Sequence, residues 1–165
     1  FSHGRAITAD THQMGNVMKR RADWPERLNA YFAAAERIPF TWGALDCCSF
    51  AANAVMAMTD ADFFSWFRGR YDDGHSAYFA LHEFCGGGVP EMMSKLAPQF
   101  GLDVVETSFA QRGDILLINP KSCGSDPRFG GALGICADHW AAVMTEKGLR
   151  MIRLRDHAIR AWRVP

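Results

Sequence analysis

The residue best suited to chemistry is Cys47, which follows Asp46 and precedes a long apolar stretch. Aspartate is a preferred N-cap residue, so this order predicts that the cysteine begins a helix. The unpaired N–H groups and the dipole at a helix start stabilise a thiolate, which is the nucleophilic form of cysteine. Cys47 is therefore the candidate catalytic nucleophile, and Asp46 is the cap beside it. The alternative, a small buried apolar cysteine, stays open.

A nucleophilic cysteine needs a general base, which is usually a histidine on a facing element. His75, His82 and His157 belong to other predicted elements, and no pattern orients any of them toward Cys47. His157 is kept as the candidate base, with a surface or capping role as the alternative. His139 is predicted to lie in a turn.

Metal binding is the other chemistry that cysteines suggest. The chain has five of them, at positions 47, 48, 85, 123 and 136. Zinc sites normally contain close pairs such as Cys-x-x-Cys, and the sequence has none. An odd set without paired spacing also favours reduced thiols over a disulfide framework. We therefore expect no metal and no cofactor. Cys48 points about 100° away from Cys47 on a helix, so we expect it to be buried.

Length and charge narrow the function classes. The chain has 165 residues, with 18 Lys and Arg and 18 Asp and Glu, so its formal net charge is zero. Nucleic-acid binding usually needs a basic surplus, so no nucleic-acid partner is expected. No apolar run approaches the ~18 residues of a membrane span, so none is expected. Residues 1–17 lack periodicity and are interpreted as a poorly structured leader or tag remnant before one domain at 18–165.

The elements that must position Cys47 change in character along the chain. The first helix is predicted to start at Asp23, with the aspartate as cap, Pro25 in the first turn and Glu26 after it. Further helices are predicted over residues 47–58, 62–67, 76–84 and 90–100. Strands are predicted over residues 103–106, 115–118, 132–136, 140–145, 149–154 and 160–164. Helices followed by an antiparallel sheet are the order of an α+β fold.

Three short motifs resemble those of one enzyme family. Residues 46–49, Asp-Cys-Cys-Ser, share Asp and Cys with an Asp-Cys-Ser-Gly run that starts a helix in that family. Residues 112–115, Arg-Gly-Asp-Ile, are similar to its Gly-Asp-Leu strand, and residues 132–136, Ala-Leu-Gly-Ile-Cys, to its His-Val-Gly-Ile-Tyr strand. On these motifs the chain resembles the NlpC-type cell-wall peptidases.

A compact subgroup of that family, common in phage tail gene clusters, is similar over roughly residues 22–164. The shared features are the Trp24-Pro25 helix start, the Pro39–Gly43 approach, the 133–135 strand and the terminal Ala161–Val164. The resemblance implies a papain-like α+β fold in which N-terminal helices pack on a small antiparallel β-sheet. It also implies a protein made in the bacterial cytoplasm and carried in a phage or prophage virion tail, with other tail proteins as partners.

One position departs from the family pattern. Ala132 stands where the resemblance places the catalytic histidine, and alanine cannot accept a proton. Losing the base of a Cys–His pair usually costs several orders of magnitude in rate. His139 lies seven positions further on, on the order of 20 Å along an extended strand, so it cannot replace that base in place.

Two functions are therefore expected as alternatives. The first is a tail-tip or tail-assembly protein that keeps the peptidase fold but is catalytically degenerate. The second is an active cysteine peptidase or amidase that cleaves peptidoglycan stem peptides during phage entry, with Cys47 as nucleophile and peptidoglycan as a partner. A host-directed binding domain without a tail connection is a third class, for which the sequence offers no ligand motif.

Overall fold

The computed structural model describes residues 18–165, so the leader predicted over residues 1–17 lies outside the described range. Helices fill the first half. Their bounds are α1 Trp24–Ala35, α2 Cys47–Thr59, α3 Gly74–Cys85 and α4 Val89–Leu96. Short 3-10 turns lie at Ser65–Phe67 and Ala97–Phe100. The helices predicted over 47–58 and 76–84 are confirmed, the 90–100 helix ends in a 3-10 turn, and the piece over 62–67 contains only such a turn.

Helix α1 begins at the predicted position, but Asp23 does not cap it as predicted. Its carboxylate makes no capping hydrogen bond to the helix backbone and instead accepts from Arg27 Nε at 3.0 Å. The Asp23 backbone (φ −98°, ψ 24°) also lacks the extended conformation of a typical N-cap. A charged i,i+4 pair therefore replaces the cap, and Pro25 in the first turn marks the start of the helix.

Helix α2 starts with a capping box. Ser49 N donates to Asp46 Oδ1 at 2.9 Å, and Asp46 N donates to Ser49 Oγ at 2.8 Å, so the predicted cap is confirmed. The helix is buried nearly all round, and Phe50 stacks on Phe32 of α1 with centroids 6.0 Å apart. Truncating a buried phenylalanine typically costs about 3–5 kcal/mol, so this packing holds the start of α2 firmly.

The second half of the chain forms one six-stranded sheet in the order β1-β6-β2-β3-β4-β5. The bounds are β1 Asp103–Val105, β2 Ile115–Ile118, β3 Ala132–Ala137, β4 Trp140–Thr145, β5 Gly148–Arg153 and β6 Ala158–Arg163. All neighbouring strands in it are antiparallel. The predicted α+β class, helices first and an antiparallel sheet afterwards, is therefore confirmed.

The two faces of the sheet are covered by different elements. On one face α2 packs against β3 and β4, and Leu133 and Ile135 of β3 join the main core. On the other face Ala132 and Leu154 belong to a smaller apolar cluster. Two one-turn helices, α5 (Pro120–Cys123) and α6 (Leu154–His157), contribute to that second layer, and the sequence predicts neither of them.

The helices of residues 18–165 are short, and the longest of them, α2, has 13 residues. Within this range no helix combines the length and apolar character that crossing a lipid bilayer requires.

Candidate functional site

Cys47 is the first residue of α2, as predicted, and its side chain is half-buried. The helix packs on β3 and β4, so the sulfur lies where a buried helix meets an antiparallel sheet. It lines a groove with a cavity volume of about 580 Å³. Ligand sites in proteins typically have volumes of ~300–1,000 Å³, so the groove is large enough for a ligand.

One wall of the groove is aromatic. Trp42 contacts both Phe40 and Phe129, with ring centroids 5.1 Å and 6.0 Å away. Gly74 at the start of α3 lies close to the indole. A Cβ at this position would be 3.2 Å from the Trp42 ring. Edge-to-face and tilted ring contacts stabilise one arrangement of such side chains. The groove therefore presents an ordered apolar surface beside Cys47.

The rest of the groove carries charged groups. Asp126 and Arg128, in the loop after α5, form an ion pair at 2.9 Å and both line the groove. Glu146 from the β4–β5 turn and His75 from the first turn of α3 line it as well. The arrangement suits a ligand with both apolar and polar groups, such as a peptide.

Asp46 is 2% exposed, and both of its carboxylate oxygens are engaged. Oδ1 accepts from Ser49 N, while Oδ2 accepts from Gly43 N at 2.9 Å and from the Tyr71 hydroxyl. Burial, followed by the negative charge of Asp46, raises the pKa of Tyr71 far above its ordinary value, so its hydroxyl stays a neutral donor. Asp46 therefore ties the preceding loop and Tyr71 to the helix start.

The same interaction explains why Gly43 precedes the helix start in the sequence. Its φ of 82° is rarely adopted by residues with a side chain, and an added Cβ would lie 2.3 Å from the Tyr71 carbonyl oxygen. Only glycine lets the loop approach closely enough for its N–H to reach Asp46.

Cys48 is buried, as predicted, and its sulfur lies 3.9 Å from that of Cys47. The contact with the Cys47 sulfur, and then burial, raise the pKa of the Cys48 thiol well above its ordinary value. Cys48 thus remains a protonated thiol in the core, behind the residue that lines the groove.

Ala132 is the first residue of β3, and it lines the same groove as Cys47. It is 1% exposed and belongs to the apolar cluster against which Cys47 also packs. The position that the motifs assign to a histidine is therefore close to the cysteine in the fold. It supplies a methyl group and no proton acceptor.

His75 is the histidine that lines the groove within residues 18–165. Its ring is exposed and meets the ring of Phe79 edge-on, with centroids 4.8 Å apart. In the described part of the chain no hydrogen bond orients this ring toward Cys47.

His157, the predicted base, is not among the residues that line the groove. Its Nδ1 lies 2.8 Å from Ser122 Oγ of α5. This contact joins the two one-turn helices, since His157 ends α6 and Ser122 lies in α5. The structure therefore pairs His157 with a hydroxyl rather than with Cys47.

The other predicted histidine positions are peripheral. His139 is exposed in the turn between β3 and β4, as predicted. His82 on α3 is exposed, and its Nε2 lies 3.0 Å from the hydroxyl of Tyr78. Neither of these two side chains lines the groove.

Asp114, in the second motif, is a structural residue. It is 0% exposed and forms ion pairs with Arg20 at 3.0 Å and with Arg163 at 2.8 Å. Its carboxylate also accepts from Gln111 N and Val164 N, at 2.8 Å and 3.1 Å. The carboxylate thus caps the turn before β2 and also connects the start of β2 to both ends of the described chain.

Sequence reasoning missed the loop side of the groove. Cys123 and the Asp126–Arg128 pair come from residues 119–131, which the sequence marks only as a Gly- and Pro-containing loop. Such a loop between two buried strands is a typical location for binding residues, and that was the available signal. Within residues 18–165 no three His, Cys, Asp or Glu side chains are arranged to hold a metal ion.

Comparison with known proteins gives a family but no activity. No curated protein matches the sequence. The model of a family described as a domain of unknown function, DUF6950, matches residues 19–164, which include every element of the fold and the whole groove. The chain therefore belongs to the DUF6950 family.

Proposed function

We propose that this chain is a catalytically degenerate, papain-like domain of the NlpC type that serves as a tail-tip or tail-assembly protein of a phage. In this role the groove beside Cys47 binds an extended peptide segment of another tail protein and does not cleave it. The phage tail assignment rests on the sequence motifs. The loss of catalysis rests on the geometry of the groove.

The observation that carries the proposal is the position of Ala132. This residue shares the groove and an apolar cluster with Cys47, yet it offers no group that can take the thiol proton. Asp46 cannot substitute for the base, because both of its oxygens accept hydrogen bonds that hold the helix start. A Cys–His mechanism without its base loses several orders of magnitude in rate.

The groove itself favours peptide binding. Its aromatic wall at Trp42 and Phe129 offers apolar contact, and its charged loop offers hydrogen-bonding groups beside it. Binding sites commonly combine a mainly apolar lining with a few polar groups that fix orientation. A bound segment would lie across Cys47 without being attacked.

One observation favours the second candidate, an active cysteine peptidase. His75 lines the groove from α3. A base at this position would come from a helix and not from β3, where Ala132 lies. An exposed imidazole that turns toward the sulfur on ligand binding would serve as the base, because catalytic hydrogen bonds often form only in the complex.

Incubating the purified chain with peptidoglycan fragments separates the two candidates. Wild type, Cys47→Ala and His75→Ala are compared by mass spectrometry of the products. Identical traces for all three, with stable association of wild type with co-expressed tail proteins, support the proposed role. Products that require both Cys47 and His75 would overturn it in favour of the peptidase.

A further inference from the structure

A second cavity, of about 250 Å³, adjoins the Cys47 groove at the β4–β5 hairpin. Four residues line both cavities, namely Cys123, Gly124, Thr145 and Glu146. They come from two different elements, the end of α5 and the tip of the hairpin. The two cavities therefore meet between these elements, and a ligand that lies along the groove at Cys47 can continue into the second cavity.

The second cavity has a different charge from the groove. Lys147 and Arg150 line it, and neither forms an ion pair within residues 18–165. Glu146 is the one carboxylate in its lining, so cationic groups outnumber anionic ones. In the groove, by contrast, Arg128 is already neutralised by Asp126 at 2.9 Å. The cations available to an anionic ligand thus lie in the second cavity.

The backbone holds these cations at defined positions. Arg150 lies within β5 opposite Val143 of β4, and Val143 lines the same cavity. Lys147 lies in the turn before β5, where its N–H donates to Thr145 Oγ1 at 3.2 Å. On the facing side Ser122 Oγ is held 2.8 Å from His157 Nδ1. The cavity is thus built from a strand, a tight turn and a tethered hydroxyl.

We propose that the second cavity is a subsite for a free carboxylate of the peptide that occupies the Cys47 groove. The inference rests on the proposed peptide-binding role of the groove. Arg150 binds the carboxylate as the main cation, with Lys147 beside it and Ser122 as a neutral hydrogen-bonding group. Glu146, at the junction of the two cavities, repels a second anionic group and so limits the ligand to one carboxylate at this end.

Disulfide tethering tests the subsite without a known ligand. Short peptides carrying a thiol capped as a disulfide with 2-mercaptoethanol exchange with Cys47, which forms the mixed disulfide and releases 2-mercaptoethanol. Three matched peptides end in a C-terminal carboxylate, in a carboxamide, or in a carboxamide preceded by glutamate. The concentration of reductant that halves labelling is measured by intact mass at equilibrium, so slow thiol chemistry does not affect it. Peptide mapping and a Cys47→Ser control assign the label.

We expect the carboxylate peptides to resist reductant about fivefold better than the carboxamide, the upper range for one solvent-exposed charge pair. The better of the two carboxylate peptides identifies a C-terminal or a side-chain carboxylate as the source. The advantage should disappear in Arg150→Gln with Lys147→Gln. It should persist in Arg160→Gln, which removes an exposed arginine of β6 that lines neither cavity.

Each other outcome overturns a defined part of the account. Equal resistance of the carboxylate and carboxamide peptides to reductant would overturn the subsite but not the peptide-binding groove. An advantage of the carboxylate peptides that persists in the double variant would do the same. An advantage that Arg160→Gln also removes reflects net charge and overturns the subsite as well. Failure of every peptide to label Cys47 overturns the peptide-binding groove itself, and the subsite with it.

Discussion

Two buried aspartates, Asp46 and Asp114, are stabilised in opposite ways. Asp114 is 0% exposed and has two arginine partners, Arg20 and Arg163. Asp46 is 2% exposed and accepts only from backbone N–H groups and hydroxyls. In residues 18–165 no cationic side chain lies within 4.0 Å of Asp46.

The difference in partners indicates that Asp114 has a structural role, whereas Asp46 belongs to the candidate functional site. The charge of Asp114 is balanced by its two arginine partners. These ion pairs connect β2 with the chain segments at Arg20 and Arg163. The charge of Asp46 faces only the helix N-terminus and neutral donors. Burial, followed by this charge, raises the pKa of Tyr71. An uncompensated buried charge thus lies next to the residue that lines the groove.

The largest effect should come from removing the compensated charge. Asp114→Asn leaves two arginines, one of them only 14% exposed at its side chain, facing a neutral amide. Breaking a buried ion pair in this way costs about 3–5 kcal/mol. We expect that loss in the free energy of unfolding, measured by urea denaturation.

The matched control is Asp126→Asn, which breaks an ion pair with Arg128 whose side chains are 38% and 61% exposed. An exposed pair contributes about 0–1 kcal/mol, so this variant should stay close to wild type. Equal losses for the two variants would contradict the structural role assigned to Asp114.

A smaller loss is expected at the uncompensated aspartate. Asp46→Ala removes a helix cap and leaves the Tyr71 hydroxyl without its acceptor, which together should cost about 2–3 kcal/mol. Part of that loss comes from the hydrogen bond between Tyr71 and Asp46. A double-mutant cycle with Tyr71→Phe should therefore give a coupling energy of about 1 kcal/mol or more. Additive losses would show that the contact between the two side chains contributes nothing.

The thiols near the two aspartates should make the fold sensitive to alkali. Burial, followed by the charge of Asp114, raises the pKa of Cys136 from 9.0 to about 11. A thiol with a raised folded-state pKa keeps its proton longer when folded. Its stabilising contribution is therefore complete below pH 9 and is lost as the pH rises toward 11. We expect this thiol by itself to lower the free energy of unfolding by about 2 kcal/mol over this interval.

Cys136→Ala is the control for the alkaline effect and should reduce the loss between pH 9 and 11, while Cys48, whose pKa is also raised, still contributes to that loss. Tyr31, whose pKa burial raises to about 12, contributes a further loss above pH 10 in both proteins. An unchanged slope in Cys136→Ala would assign the effect to other groups.

The sequence predicted the regular elements well because their patterns are long. The apolar run after Asp46 is long, and the apolar runs of residues 132–136 and 140–145 are bounded by turn residues, which are clear signals for a buried helix and for buried strands. The four-residue helices α5 and α6 were missed, since one turn has no period to detect. The predicted cap at Asp23 was wrong for another reason. Its carboxylate accepts a hydrogen bond from Arg27 instead of from the N–H groups of the helix start.

The site was predictable only on one side. Cys47 and Asp46 are adjacent, so a local rule finds them, and the motif placed Ala132 at the same site. His75, Asp126 and Glu146 reach the groove from a helix, a loop and a hairpin turn that are far apart in sequence. A local sequence pattern cannot show that residues so far apart in sequence line the same groove. His157 does not line the groove, and the one-turn helix that carries it has no period by which the sequence could orient its side chain.

We propose that the groove at Cys47 lacks a base because position 132 is alanine. The direct test is the rate of Cys47 alkylation by iodoacetamide at neutral pH in wild type, Ala132→His and Ala132→Gln, with each fold verified by circular dichroism. Glutamine matches histidine in size but cannot take the thiol proton. We expect similar rates for wild type and Ala132→Gln, and a rate at least about tenfold higher for Ala132→His. A wild-type rate already as high as that of Ala132→His, and lowered by His75→Ala, would contradict this proposal.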